Sequence, residues 1–221
     1  MIPLLLLALA VASPPVTAPA ADSVTIARLR YEGGGDWYAN PSSLPNLLAA
    51  VRERTGIPTR AREATVSLLD PGLRDHPYLY MTGHGAVRLS APERAALRDH
   101  LDAGGFLHAD DNYGLDGSFR AEMGEIFPED PLTEIPADHP VFHAVYDFPE
   151  GLPKVHEHDG KPPQAFGIFR GGRLVVFYSF ESDLGDGWED ADVHDDPPQI
   201  REQALRMGVN LFVFALGQNV P

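Results

Sequence analysis

The sequence predicts an α/β fold: a mostly parallel sheet flanked by helices, with a C-terminal hairpin and helix. Three observations carry this prediction. Tyr78 to Thr82 is an apolar run ending in Gly83-His84-Gly85; a helical period follows, and a second apolar run, Phe106 to Ala109, ends in Asp110-Asp111-Asn112. Strand, helix and strand with short joins form a βαβ unit, which makes a right-handed parallel pair. Further on, Phe166 to Phe169 and Leu174 to Phe180 flank Gly171-Gly172, a two-glycine hairpin signal. A last helix opened by Asp196-Pro197 carries Ile200, Ala204, Leu205, Val209, Leu211, Phe212 and Phe214 for packing on the sheet.

The remaining elements follow from local pattern. Val24 to Tyr31 alternates apolar and polar residues, the signature of a strand with one buried face, and Gly33-Gly34-Gly35-Asp36-Trp37-Tyr38 breaks it. Leu44, Leu47, Leu48 and Val51 recur at helical spacing in Leu44 to Thr55, stopped by Gly56 and Pro58. A second strand is expected near Thr65 to Leu69. Ser90-Ala91-Pro92-Glu93 is a capping box, with Pro92 in the first turn where no donor is lost. That helix runs through Leu97 and Leu101 to Gly104-Gly105. Ser118 to Phe127 reads as a short helix, and Leu132 to Ile135 and Val141 to Tyr146 as short extended pieces. The proline-rich stretches 149–163 and 195–198 read as loops.

With 221 residues and 43% hydrophobic content, the chain can fill one ordinary core and is short for two. A single domain over residues 21–221 is expected. The first twenty residues stand apart: Leu4 to Leu7, Ala8 to Ala12, then Ala18-Pro19-Ala20, which reads as a secretory signal over residues 1–20. Met1-Ile2-Pro3 carries no basic residue, but the apolar run is shorter than the ~20 residues that cross hydrocarbon. The expectation is export to the periplasm or the extracellular space, with no transmembrane segment after cleavage. The 32 acidic against 17 basic residues, a formal net charge of -15, exclude nucleic acid and anionic lipid surfaces as natural partners. A chain without cysteine has no disulfides, thiol nucleophile or thiolate metal site, so the core alone must hold the fold.

Several segments together resemble a known superfamily. They are Leu29-Arg30-Tyr31, Gly35-Asp36-Trp37-Tyr38, Leu89-Ser90 leading into Gly104-Gly105-Phe106-Leu107, Asp138-His139-Pro140-Val141, and Gly172-Arg173-Leu174-Val175. The set, spread from about Val24 to Gly217, resembles the class I glutamine amidotransferase-like superfamily. Within it, the set is similar to a bacterial domain-of-unknown-function family (4159) of secreted or membrane-tethered proteins, related to trehalose-utilisation-type proteins. The resemblance implies a flavodoxin-like three-layer sandwich. Amidotransferases of the superfamily place a cysteine nucleophile on a strand-to-helix elbow. If that elbow lies at the end of Phe106 to Ala109, then Asp110, Asp111 and Asn112 occupy its neighbourhood, and thiol glutaminase chemistry is excluded.

In an open parallel sheet, ligands bind beyond the carboxyl ends of the strands. The candidate residues are those at predicted strand ends. Asp110 and Asp111 are candidates for catalysis and for a divalent metal, against the alternative that one of them caps the next turn. His84, between two glycines, is the third such candidate, with a side chain that titrates near neutral pH. Asp36, Trp37, Tyr38, Glu181, Asp183 and Trp188 are candidates for ligand binding, with Trp188 able either to stack on a sugar or to cover the sheet. His156-Glu157-His158-Asp159 places two imidazoles at i and i+2 but lacks an evident third ligand. His139 and His143 read as structural, and the acidic run Glu181 to Asp196 is dense enough to recruit cations. Ser118 and Ser179 lack the Gly-x-Ser-x-Gly elbow. The leading functional reading is a non-catalytic module of the cell envelope that binds a small molecule or glycan, or assembles with envelope proteins. The rival is a metal-assisted hydrolase acting on carbohydrate or amide bonds, and a third is a purely structural envelope partner.

Overall fold

The computed structural model describes residues 23–156 and 158–218. The signal expected over residues 1–20 lies outside them. Seven strands form one sheet: β1 (Ile26–Leu29), β2 (Ala64–Val66), β3 (Tyr78–Gly83), β4 (Phe106–Asp111), β5 (Thr133–Glu134), β6 (Gln164–Arg170) and β7 (Arg173–Phe180), in the order β2-β1-β3-β4-β7-β6-β5. The first five neighbours in that order are parallel, and β6 and β5 add to the edge antiparallel. This is the doubly wound, flavodoxin-type order with a two-strand extension. One face packs on α1 (Ser43–Thr55), α4 (Leu184–Trp188) and α5 (Pro198–Gly217) through Leu47, Trp188 and Phe212. The other packs on α2 (Ala91–Asp102) and α3 (Asp116–Ile126) through Leu97, Leu101 and Phe119. No helix among the described residues is long and apolar enough to cross a membrane.

The predicted βαβ unit is present, with β3 and β4 paired in register from Tyr78 opposite Phe106 to Gly83 opposite Asp111. Its helix starts with both halves of the capping box, Glu93 accepting from the Ser90 N–H at 2.8 Å. Gly171 and Gly172 have φ of 55° and 81°, the left-handed pair that closes a tight hairpin between β6 and β7.

Three expectations are corrected. β1 has all four residues buried, since helices cover both faces; the polar alternate Arg28 lies inside, its guanidinium donating to the carbonyls of Trp37, Ala39 and Asn40. The second strand ends at Val66, because the Ser67 N–H turns onto the Asp70 carboxylate at 2.7 Å. Val141 to Tyr146 is not extended: Pro140–Phe142 is a 3-10 turn in which His139 Nδ1 accepts the Val141 N–H, and Asn210 Oδ1 takes the N–H groups of Val145 and Tyr146.

His100, near the end of α2, is 4% exposed, and its Nε2 has no partner among the described residues. Burial, aided by Arg74, lowers its pKa to about 4. Below the unfolded value near 6.5 the unfolded chain therefore binds more protons at this site than the folded one, and stability falls with acidification. We predict that His100→Leu removes a wild-type penalty that grows by about 1.4 kcal/mol per pH unit between pH 6.5 and 4. Urea denaturation across that range checks it; a wild-type-to-variant difference that stays flat with pH would contradict it.

Candidate functional site

The residues following β3, β4 and β7 meet over the carboxyl edge of the sheet and enclose an open crevice of about 430 Å³. Its walls are His84, Asn112 and Tyr113 on one side and His156, His158, Asp183 and Asp186 on the other. Two of the predicted site residues, His84 and Asp183, line it directly.

β4 delivers Asp110 and Asp111 to opposite faces of the sheet, as alternate strand residues must. The Asp110 side chain is fully buried and accepts from Tyr80 Oη at 3.2 Å, Ser179 Oγ at 2.5 Å, and the N–H groups of Leu184 and Gly185 at 3.2 and 2.6 Å. Burial pushes its pKa up to about 6 against the pull of those hydrogen bonds. Asp110 therefore seats the start of α4. A side chain at Gly185 has no room there, since a Cβ would lie 2.5 Å from the Tyr80 hydroxyl and 3.0 Å from Asp110 Oδ2. Asp111 accepts from the N–H groups of Tyr113 and Leu115 and holds the turn into α3; burial raises its pKa as well. Neither carboxylate faces the crevice. Asp111 holds the next turn, as the capping alternative has it for one of the pair, and Asp110 instead holds the start of α4.

Asp36 and His84 come together where β1 and β3 end. The Asp36 carboxylate accepts the His84 backbone N–H with one oxygen and lies 3.1 Å from its Nδ1 with the other. The neighbouring Trp37 is half-buried and meets the ring of Tyr38 edge-on, at 5.5 Å between centroids. Tyr38 is 65% exposed.

The densest chemistry lies where the loop before β6 meets α4. His156 Nδ1 is 2.8 Å from Asp186 Oδ2, and its Nε2 is 2.9 Å from Asp196 Oδ1. His194 Nε2 lies 3.6 Å from the same Asp186 oxygen. The donor atoms of His156, Asp186 and His194 all fall within 4.8 Å of one another. The second Asp186 oxygen accepts from Asn40 Nδ2 at 2.6 Å and Asn112 Nδ2 at 3.3 Å. His158 Nε2 lies 3.0 Å from Asp183 Oδ2. Hydrogen bonding to Asp186 and then Asp196 raises the His156 pKa to about 9, although burial opposes it. Burial and the nearby Asp186 raise the Asp183 pKa, while His156 holds Asp186 below its usual range.

Backbone strain gathers at the same place. The non-glycine residues with positive φ are Asn40, Tyr113, Glu181, Asp183 and Asp195, among the described residues. Asn40 holds Asp186, Tyr113 and Asp183 line the crevice, Glu181 leads into Asp183, and Asp195 separates His194 from Asp196. Such conformations cost about 1–3 kcal/mol each and cluster at functional sites.

Residues 25–216 match the family described as Domain of unknown function (DUF4159). The chain belongs to that family. A comparison with curated proteins gives no match. The DUF4159 match spans β1 to α5 and includes every crevice residue.

Two further ligand-binding candidates in the DUF4159 domain take structural positions. Trp188 has no exposed surface, donates Nε1–H to the Ala204 carbonyl at 2.7 Å and packs on Tyr80 and His108. It covers the sheet and presents no free face to a sugar. Glu181 is 2% exposed and pairs with Lys154 Nζ at 3.0 Å. Sequence reasoning missed Asp186, His194 and Asp196 as members of one cluster. The signals were present separately, as the His-x-His pair and the acidic run after β7. The fold brings them together because Asp110 and Gly185 pin α4 against β4. Gly185→Ala is accordingly predicted to destabilise the fold by about 1–3 kcal/mol through overpacking. Urea denaturation checks this, and a loss under about 0.5 kcal/mol would show that α4 is not tightly seated.

Proposed function

We propose that this DUF4159 domain is an exported ligand-binding module of the bacterial cell envelope, which takes a polar small molecule or glycan in the crevice over β3, β4 and β7. The observation that carries the reading is the convergence of imidazole, carboxylate, amide and phenol groups on one open concavity, framed by strained backbone. The surface favours a neutral or cationic ligand, since the chain carries a formal net charge of -15. Tyr113, 54% exposed with its ring 5.6 Å from that of His158, is the aromatic wall on which a sugar ring can lie. Export rests on the leader-like first twenty residues. Placement in the class I glutamine amidotransferase-like superfamily, with a relation to trehalose-utilisation-type proteins, rests on the sequence resemblance, and the strand order agrees with the fold it implies.

The serines considered as nucleophiles are occupied structurally. Ser179 Oγ binds Asp110, and Ser118 Oγ accepts the Val87 N–H and donates to the Leu115 carbonyl. One observation favours the hydrolytic alternative on carbohydrate or amide bonds. The Asp36 carboxylate orients His84 at the crevice wall, the arrangement of a base and its orienting acid.

A thermal-shift series with neutral oligosaccharides, amino sugars and peptidoglycan fragments tests the proposal. At a hundredfold excess over Kd, a ligand adds about 2.7 kcal/mol, which at this chain length raises Tm by roughly 5–10 °C. We predict that one compound class gives such a shift and that Tyr113→Gly abolishes it, since glycine relieves the positive φ while removing the ring. No shift with any class, or a shift that survives both Tyr113→Gly and His84→Ala, would contradict the reading. Turnover of the bound compound that His84→Ala slows would favour the hydrolase.

A further inference from the structure

We infer that His156 Nδ1, Asp186 Oδ2 and His194 Nε2 form a binding site for a divalent transition-metal ion of the zinc class at the wall of the crevice. This deepens the ligand-binding reading and rests on it only for the ligand: the ion would offer a coordination position to an oxygen donor of whatever enters.

The donor set comes first. Two imidazoles and one carboxylate match the three-protein-ligand pattern of open zinc sites, whereas calcium and magnesium take oxygen ligands. Bonds of about 2.0–2.2 Å in a tetrahedral arrangement separate neighbouring donors by about 3.3–3.6 Å. The separations from Asp186 Oδ2, 2.8 Å to His156 and 3.6 Å to His194, bracket that value, so small side-chain rotations would seat the ion.

The surrounding shell is independent support. A metal-bound histidine characteristically gives its other N–H to a carboxylate, and His156 Nε2 does so to Asp196 Oδ1 at 2.9 Å. The Asp186 oxygen turned away from the imidazoles is held by the amides of Asn40 and Asn112, so its partner oxygen is fixed in direction. A further carboxylate stands ready beside them: Asp183 Oδ2 is 3.8 Å from His156 Nδ1. Its Oδ1 is buried and has no hydrogen-bond partner among the described residues, and the same holds for Asp196 Oδ2. Both side chains are at least nine-tenths buried. Two buried carboxylate oxygens beside the cluster thus lack a donor among the described residues, a lack that a nearby dication relieves.

The experiment is zinc titration calorimetry, with elemental analysis, on protein produced from the full chain and purified without a metal-affinity step. Wild type is compared with His194→Ala, Asp196→Ala and, as a surface control, His143→Ala, whose partner Asp147 lies outside the crevice. His194 belongs to an exposed loop and, among the described residues, makes two long ion pairs and an edge-on contact with the His156 ring, so its removal should leave the metal-free unfolding temperature nearly unchanged. The expected result is one equivalent of zinc. Kd should rise at least tenfold in His194→Ala and by about 10–100-fold in Asp196→Ala, with no change in His143→Ala and little response to magnesium or calcium. Two results would overturn the inference: no saturable zinc binding by folded wild type, or binding that His194→Ala and Asp196→Ala leave unchanged, which would mark an adventitious ion only. Zinc binding without any glycan or small-molecule shift would retain the metal site and remove the ligand reading. The converse would retain the crevice as a metal-free ligand site.

Discussion

The carboxylate of Asp110 is the constraint on which the rest of this site depends. It sits at the carboxyl edge of the central strand and collects donors from β3, from β7 and from the start of α4. A carboxylate without solvent is tolerated only with such a set of partners. The partners in turn fix where α4 begins. That placement sends Trp188 into the core and leaves Asp183 and Asp186 on the crevice side, where histidines from two separate loops reach them.

Buried charge is then balanced locally. Asp110, Asp183 and Asp186 lie near one another, and burial first, with the neighbouring acids second, raises the pKa of the first two. His156 supplies one compensating positive charge between Asp186 and Asp196. Asn40 and Asn112 supply dipoles. Positive φ at Asn40, Tyr113, Glu181, Asp183 and Asp195 adds a conformational cost along the same edge.

Much of the fold was legible because short-range rules governed it. The βαβ unit, the Ser90 capping box and the Gly171-Gly172 hairpin are all specified within a few residues of chain. The errors arose where long-range partners decided the outcome. Arg28 looked like a solvent-facing alternate, but three loop carbonyls satisfy it inside. Leu184–Trp188, with two glycines in five residues, has little helical propensity of its own and forms on the Asp110 anchor. At the site, the strand ends lead to the crevice, which His84 and Asp183 line, with Asp36 beside His84. Asp110 and Asp111 were the conspicuous acids, and the fold uses them as anchors. The His-x-His pair lacked a third ligand in sequence because Asp186 and His194 lie roughly thirty to forty residues further on and reach it through α4 and its following loop.

The most direct test of the central claim, that the carboxyl edge of the sheet presents a preorganised cation site, is an anomalous difference map from zinc-soaked crystals at the zinc absorption edge. A single strong peak is expected about 2.0–2.2 Å from His156 Nδ1, Asp186 Oδ2 and His194 Nε2, with Asp110 still seated on α4. A map with no peak in the crevice, or with peaks only at surface pairs such as His143 and Asp147, would contradict it.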